Sequence, residues 1–255
     1  MWRKRQLADL LAQRRGDSRG LRFSWKRGQE VVCWIEDYCR QYEGEFAGKP
    51  LILEPWQRSI VRHVFGWLRA DGLRRFRTAY IEIPRKNGKS ALSSAVGLYL
   101  LVADGEPGAQ VYCSATKEDQ AKIVWRTACK MVQRSEDLRS MLRKRHSVLE
   151  DEGNDGFFRP LGANSDTLDG LNPHANIVDE LHAHKDRGVW DVLDTAMGAR
   201  RQPLTIAITT AGLFDPTSIG WEQHDYATKV LEGTFEDDAF FAYIAAADEG
   251  DDFFS

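Results

Sequence analysis

The chain has 255 residues, of which 42% are hydrophobic, 29% charged and 11% aromatic. These proportions are those of a globular protein and exclude collagen, coiled coil and disorder as its main state. The formal net charge is only -3, and no apolar run approaches the ~20 residues that a membrane span requires. We therefore expect a soluble, unexported protein with no membrane partner.

The charge is distributed unevenly. Residues 1–28 carry nine Lys or Arg against two Asp, whereas residues 232–255 carry eight acids and no Lys or Arg. The basic segment can contact nucleic acid, but a solvated amphipathic helix with Leu7, Leu10 and Leu11 on one side explains it equally well. The middle of the chain is close to neutral and predicts no obvious basic stripe.

Taken in chain order, the apolar residues first recur at helical spacing and predict two early helices. From residue 76, short apolar strands alternate with helices, which predicts an α/β unit with a largely parallel sheet. The segment from 150 to 173, with its glycines, is expected to be mostly loop, and Phe240 opens a last strand followed by a linker. The predicted early helices lie around 31–42 and 60–68, the later ones at 89–102, 118–133 and 190–197, and the strands at 78–83, 109–114, 175–178 and 204–208.

The first predicted strand leads into the segment IPRKNGKS, residues 83–90, and then into a helix, which is the context that a phosphate-binding loop requires. Gly88 would let the backbone approach an anion, Lys89 would reach the outer phosphates, and Ser90 would offer its hydroxyl to Mg²⁺. The strict pattern G-x-x-x-x-G-K-[ST] has glycine at the position of Ile83. Alone, the segment therefore fits an ordinary Lys-Ser helix start equally well.

A second strand, Asn176–Val178, ends on Asp179 and Glu180. Adjacent side chains on a strand point to opposite faces, so the fraying end can direct one carboxylate to a metal ion and the other to a water molecule. Two solvated acids at a strand end are common by themselves. Their occurrence together with the loop at residues 83–90 favours a nucleoside triphosphate site.

A third strand, residues 204–208, ends on Thr209, Thr210, Ala211 and Gly212. Hydroxyl groups and small residues at this position suit contact with a γ-phosphate. An ordinary strand-to-turn signal with glycine is the alternative. The two histidines that follow Glu180, His182 and His184, are not expected to bind metal, because i, i+2 spacing on a loop lacks converging geometry; a position near the γ-phosphate is left open for His182.

With these motifs in this order along the sequence, the chain resembles the large subunit of tailed-bacteriophage terminase, the motor that packages DNA, in its HK97-like branch. The segments that carry the resemblance are AYIEIPRKNGKSALSSAVGLYLL, VYCSATKEDQA, LDGLNPHANIVDELHAH and ITTAG. The family's phosphate loop also lacks the first glycine and carries an arginine, so Ile83 and Arg85 fit it. The resemblance covers about residues 50–247 and implies a RecA-like (ASCE) P-loop NTPase fold with a central, mostly parallel sheet flanked by helices.

The resemblance also implies a domain organisation. Residues 1–48 would form a basic helical extension, 49–232 the ATPase core, and 233–255 the last strand and the start of a lid or linker. The nuclease domain of full-length terminases would be absent from this chain, so we expect no DNA cleavage by these 255 residues.

Individual roles follow from the same resemblance. Gln57 would recognise adenine, and Arg85 would be a cis cation beside the γ-phosphate. The remaining assignments are phosphate binding by Pro84, Lys86, Asn87, Gly88, Lys89 and Ser90, Mg²⁺ binding by Ser90 and Asp179, activation of water by Glu180, and coupling of hydrolysis to movement by Thr209, Thr210 and Gly212. Residues 116–120 would contact phosphates or DNA, with simple helix capping as the alternative.

One departure from the family concerns the arginine that a neighbouring subunit would supply. Many terminases carry an arginine before a glycine in the loop ahead of the acidic strand, where this chain has Asp169-Gly170. Arg200 and Arg201 are therefore the candidates for a trans arginine. Helix C-terminal cations that face the negative end of the dipole are the alternative.

The function expected from the resemblance is ATP hydrolysis with Mg²⁺ that powers movement of double-stranded DNA into a procapsid. The implied partners are identical subunits in a ring of five, a portal protein and the small terminase subunit, in the host cell cytoplasm. A helicase or restriction-type translocase is one alternative, although it should continue into a second RecA-like domain. A regulatory module that binds nucleotide without hydrolysing it is the other.

Overall fold

The fold is organised around a large twisted sheet, seen in a computed structural model that describes residues 2–14, 18–115, 118–162, 170–184, 187–212 and 215–245. The helices are α1 (Trp2–Arg14), α2 (Trp25–Tyr38), α3 (Pro55–Gly66), α4 (Lys89–Val102), α5 (Glu118–Arg134), α6 (Glu136–Met141), α7 (Gly188–Ala196) and α8 (Ile219–Glu232). The strands are β1 (Arg22–Phe23), β2 (Trp67–Leu68), β3 (Thr78–Glu82), β4 (Gln110–Ala115), β5 (Leu142–Lys144), β6 (Leu149–Asp151), β7 (Gly156–Gly162), β8 (Ala175–Asp179), β9 (Leu204–Thr209) and β10 (Phe240–Ile244).

Eight of the described strands form the main sheet, in the order β10-β3-β9-β8-β4-β7-β6-β5. All pairs from β10 to β7 are parallel, and β6 and β5 continue the sheet as antiparallel strands. The predicted mostly parallel sheet is confirmed. Because β9 lies between β3 and β8, the strand before the phosphate loop and the strand before the two acids are separated by one strand.

The carboxyl ends of these three strands meet at one edge of the sheet. In the register, Glu82 on β3 pairs with Thr209 on β9, and Asp179 on β8 pairs with Ile208. Ligands bind outside the carboxyl ends of strands in open α/β sheets. This edge is therefore the place to look for a site.

Helices cover both faces of the sheet. One buried cluster joins α2, α3, α4 and α5 to one face, with Val32, Ile35 and Leu98 among its members. A second cluster packs α8 against the opposite face. None of the described helices is both long and apolar enough to cross a lipid bilayer.

Most of the predicted elements are confirmed, and α4 has the predicted bounds. The expectation that the segment from 150 to 173 is mostly loop is wrong. Strand β7 occupies Gly156–Gly162 within this segment, and its Phe158 side chain is completely buried. Parallel pairing with β4 supplies the hydrogen bonds that hold this glycine-bounded segment as a strand. Helix α8 is an element that the sequence analysis did not predict.

The amino-terminal helix α1 docks mainly through polar residues, and of the three leucines expected on one side only Leu10 packs against the core, which corrects the expected leucine face. Leu7 and Leu11 are exposed, whereas Gln6 and Asp9 are buried. Gln6 accepts a hydrogen bond from the indole of Trp67 at 3.0 Å, and Asp9 pairs with the guanidinium of Arg75 at 3.0 Å. These partners explain why polar side chains of α1 face the body of the protein.

Candidate nucleotide-binding site

The loop between β3 and α4 is shaped to expose backbone N–H groups. Lys86 and Gly88 have left-handed backbone conformations, with φ of 65° and 71°. The Asn87 side chain holds the turn by donating to the carbonyl oxygens of Pro84 and Arg85, each at 3.2 Å. Gly88 is the N-cap of α4, and no described side chain caps the helix. The first-turn N–H groups, which have no partner within a helix, are thus available to an anion.

Lys89, the first residue of α4, folds back over this loop. Its side chain is buried, and its Nζ atom lies 3.4 Å from the carbonyl oxygen of Pro84. The charge of Lys89 also acts on the Asp179 carboxylate and favours its ionised form, although burial and the charge of Glu180 outweigh this effect and raise the pKa of Asp179. The phosphate loop and the end of β8 therefore face each other across the carboxyl edge of the sheet.

The two acids after β8 are separated by a sharp turn. Glu180 has a φ of 52°, a conformation that costs energy for a residue other than glycine. Its N–H donates both to Ile208 on β9, at 3.0 Å, and to the Asp179 carboxylate, at 3.1 Å. The charge of Glu180 still acts on Asp179 and raises its pKa, so the division of the two carboxylates between metal and water stays a prediction.

The environment of Asp179 suits a cation. Burial, and then the charge of Glu180, raise the pKa of Asp179 to about 6. A divalent cation beside Asp179 would favour the ionised form again. The oxygens of Asp179 and Ser90 are donors that Mg²⁺ prefers, and Mg²⁺ takes few protein ligands because it keeps waters and substrate phosphates. No group of three or more His, Cys, Asp or Glu side chains that could hold a metal ion occurs among the described residues.

The end of β9 approaches the acids through a histidine. Thr209 and Thr210 are both buried, and the ring Nδ1 atom of His182 lies 2.9 Å from the Thr209 hydroxyl oxygen and 3.4 Å from that of Thr210. The same Nδ1 atom lies 3.1 Å from Oε2 of Glu180. His182 thus lies between the ends of β8 and β9, a contact with a residue 27 positions away that its spacing after Glu180 does not reveal.

Gln57 lies beside the phosphate loop. It sits in the first turn of α3, where its Oε1 atom accepts from the backbone N–H of Glu54 at 2.9 Å. A Cβ atom added to Gly88 would lie 3.3 Å from Nε2 of Gln57. The neighbouring Trp56 stacks on Tyr243 at the end of β10, with ring centroids 6.1 Å apart. Only the Nε2 end of the Gln57 amide therefore faces the loop.

The arginines occupy different edges of the sheet. Arg85 is exposed in the phosphate loop, whereas Arg200 and Arg201 precede β9 and so lie at its amino end. The Arg200 guanidinium donates to Glu106 and to three backbone carbonyl oxygens, at 2.8 to 3.1 Å. Arg200 is therefore a poor candidate for a trans arginine, since four of its five N–H donors are used within the chain. Arg201 is exposed.

Thr116 and Lys117, two of the predicted phosphate or DNA contacts, lie outside the described residues, as does Asp169, where this chain departs from the family. Gly170, which follows Asp169, has a φ of 82°. Gly212 approaches His182 so closely that an added Cβ would lie 2.9 Å from the histidine Cβ. Glycine at position 212 therefore allows the end of β9 to contact the loop after Glu180.

Comparison with known proteins identifies relatives over most of this region. A family described as "Terminase large subunit, ATPase domain" matches residues 55–228. The large terminase subunit of Enterobacteria phage HK97 is 31% identical over 198 residues, which is 74% of this chain and 38% of that protein. Protein YmfN of Escherichia coli K12 is 40% identical over 84 residues, 33% of this chain and 18% of its own length.

Solved structures agree with this fold. The crystal structure of the HK97 large terminase superposes with a TM-score of 0.74 at 25% identity, covering 89% of this chain and 45% of that one. The large terminase ATPase domain of Thermus phage P74-26 has a TM-score of 0.51 at 20% identity, and the superposition covers 67% of this chain and 75% of that one. The chain spans less than half the length of the HK97 protein. It belongs to the family of the terminase large subunit ATPase domain.

Proposed function

We propose that this chain binds and hydrolyses ATP with Mg²⁺ and that hydrolysis drives double-stranded DNA into a procapsid. The observation that carries the proposal is the strand register: Glu82 pairs with Thr209 and Asp179 with Ile208, which brings the phosphate loop and the two acids to one edge of the sheet. The HK97 relative supports the DNA-packaging part of the proposal.

The chemistry would consist of positioning and electrostatic stabilisation. The first-turn N–H groups of α4 and the Lys89 ammonium would hold the β- and γ-phosphates. Ser90 and Asp179 would hold Mg²⁺, which neutralises charge on the phosphate oxygens when bound. Glu180 would orient the attacking water and accept its proton at a carboxylate oxygen.

The other predicted roles stay with the same residues. Exposed Arg85 would stabilise the γ-phosphate in cis, with Pro84, Lys86 and Asn87 shaping the loop, and the Nε2 end of Gln57 would face the base. Thr209 and Thr210 would contact the γ-phosphate and couple its hydrolysis to movement of the protein.

Assembly would complete the site. A trans arginine can be worth ~10³ to 10⁵ in rate, so an isolated subunit would be slow. Arg201 is our candidate, because it is exposed and Arg200 is engaged within the chain. The proposed assembly is a five-membered ring on a portal protein, supplied with DNA by a small terminase subunit in the host cytoplasm.

The test compares phosphate release by the wild type, Glu180→Gln and the exposed control Glu45→Gln at high protein concentration. We expect Glu180→Gln to lose about 10²- to 10⁴-fold in turnover, as is typical of a lost general base, with nucleotide affinity retained. Lys89→Ala should lose nucleotide affinity itself. Absence of phosphate release by the assembled wild type would contradict hydrolysis and favour a regulatory nucleotide-binding module.

A further inference from the structure

The outer side of α5 and the adjoining strand β5 form a basic groove, which we call the α5 groove. Its charged members are Lys122, Arg126 and Lys130 on α5 and Lys144 on β5. No acidic residue lines it among the described residues. The near-neutral composition of the middle of the chain did not predict this surface, because the neighbouring acids Glu150 and Glu152 lie on the opposite face of β5.

The separation of charge follows from the alternation of side chains along β5. Arg143 and Arg145 point to one face, where Arg145 contacts Glu150 at 2.9 Å and Glu152 at 3.3 Å. Lys144 points to the other face, with its Nζ atom 5.9 Å from the ring centroid of Trp125 on α5. Cations on the first face are therefore compensated by acids, whereas the cation on the groove face is not.

Two of the four groove cations have no counter-charge among the described residues. Arg126 and Lys144 form no ion pair with any residue that the structure describes, and both are exposed. Lys130 lies 3.6 Å from Glu43, and both of these side chains are more than half exposed. Exposed pairs of this kind contribute little and are readily exchanged for another anion.

The spacing of the cations suits a linear polyanion. Lys122, Arg126 and Lys130 stand at i, i+4 and i+8 on α5, so the helical rise of 1.5 Å per residue spreads them over about 12 Å. One strand of B-DNA advances about 3.4 Å per phosphate along its axis, and three or four phosphates span that length. We propose that the α5 groove binds the phosphate backbone of double-stranded DNA.

The proposal deepens the proposed function, on which it rests for the identity of the polyanion. The groove is also connected to the phosphate loop. The Ser94 hydroxyl on α4 lies 2.6 Å from the carbonyl oxygen of Ser90 and donates to that of Val124 on α5 at 2.8 Å. Because Val124 stands between Lys122 and Arg126, the helix that follows the phosphate loop is in direct contact with the groove helix.

The experiment measures binding of a fluorescent 30-base-pair duplex to the chain, without nucleotide, between about 50 and 200 mM salt. The groove variant combines Arg126→Gln, Lys130→Gln and Lys144→Gln. Its matched control combines Arg139→Gln, Arg143→Gln and Arg145→Gln, which removes the same charge from residues outside the groove. Thermal unfolding checks both proteins, and the double variant Arg126→Gln, Lys130→Gln replaces the triple one if Lys144→Gln impairs folding.

We expect the groove variant to bind DNA about tenfold or more weakly, with a slope of log affinity against log salt reduced by about 2 to 3, since each phosphate contact contributes about 0.9. The control should change affinity by less than about twofold. Unchanged binding by the groove variant, or equal weakening by both variants, would overturn the proposal. ATP turnover without DNA is measured on the same samples: loss of DNA binding with wild-type turnover supports the groove, and absence of turnover in the wild type would contradict the proposed function alone.

Discussion

The ring Nδ1 atom of His182 lies 2.9 Å from the hydroxyl oxygen of Thr209, and the backbone N–H of His182 donates to the same oxygen at 3.1 Å. Oε2 of Glu180 lies 3.1 Å from the same Nδ1 atom. One ring nitrogen of His182 therefore lies within contact distance of both the end of β9 and the acid that would activate water. This makes His182 a positioning residue of the proposed site.

Replacing His182 with alanine should slow ATP turnover about 10- to 100-fold, the range found when a group that orients a catalytic partner is lost. The affinity for nucleotide should stay near the wild-type value, because His182 contacts Glu180 and Thr209 and is not part of the phosphate loop. Steady-state kinetics separate the two effects as a fall in kcat at constant KM. His146→Ala, at an exposed histidine, is the control, and equal turnover by the wild type and His182→Ala would refute the positioning role.

A second histidine fastens α8 to the sheet. His224 Nδ1 lies 2.8 Å from Oε2 of Glu82, which also accepts from the Tyr80 hydroxyl at 2.6 Å. Burial alone would raise the pKa of Glu82, but the hydrogen bonds from His224 and Tyr80 hold it below 4.5, and the bond to Glu82 raises the pKa of His224 above 6.5. The nearby charge of His182 also lowers the pKa of Glu82, and that of Asp225 also raises the pKa of His224.

The pair therefore stabilises the fold most between about pH 5 and 6.5, where both groups are charged. Its contribution should be lost as pH rises through the folded pKa of His224, above 6.5, and again as pH falls through that of Glu82, below 4.5. We expect the difference in unfolding free energy between the wild type and His224→Gln to peak in that window, as measured by urea unfolding at several pH values. A difference independent of pH would contradict the ion pair, and His146→Gln serves as the control.

Local signals predicted the central elements well because they coincide with the tertiary structure. Gly88 and the apolar run after Lys89 mark the limits of α4, and its predicted bounds are those observed. β7 was missed because Gly156 and Pro160 argue against a strand in any local window. Pairing with β6 ends at Phe158, so Pro160 lies where β7 has only one neighbour and its missing N–H breaks no ladder there.

The individual motifs of the site were predicted from the sequence, whereas the contacts between those motifs were not. The phosphate loop and the two acids can be recognised from sequence because each follows a strand. The bridge from His182 to Thr209 depends on β9 lying beside β8, which no local pattern encodes. The use of Arg200 within the chain and the separation of Lys144 from its acidic neighbours likewise depend on contacts between distant segments.

The crossing of α2 and α3 requires glycine at position 28. A Cβ atom added to Gly28 would lie 2.5 Å from the carbonyl oxygen of Arg62 and 2.8 Å from its Cα. Gly28→Ala must therefore move one helix, and we expect a loss of about 1 to 3 kcal/mol in unfolding free energy. Gly198→Ala, where an added Cβ meets nothing within 4 Å, should be neutral or slightly stabilising. Equal unfolding midpoints for the two variants would show that the crossing tolerates a methyl group.

At the opposite edge of the sheet from the proposed site, a buried ion pair ties the segments before β3, β4, β8 and β9 together. Arg74 donates to both carboxylate oxygens of Asp104 at 3.0 Å, and His174 Nε2 lies 2.8 Å from Oδ2 of the same carboxylate. Arg74 also donates to the carbonyl oxygen of Gln202. Burial alone would raise the pKa of Asp104, but the charge of Arg74 and the contact with His174 hold it below 3.8.

Replacing Asp104 with asparagine would leave the Arg74 guanidinium buried without a counter-charge, which costs about 3 to 5 kcal/mol. The exposed pair partner Arg145, replaced with glutamine, should cost about 0 to 1 kcal/mol. Because the pKa of Asp104 is lowered by folding, its contribution is present above pH 3.8 and is lost as pH falls through the folded pKa. Urea unfolding at pH 7 should therefore separate Asp104→Asn clearly from the wild type, and the difference should shrink in acid. A loss at pH 7 no larger than that of Arg145→Gln would mean that the buried pair does not hold these segments together.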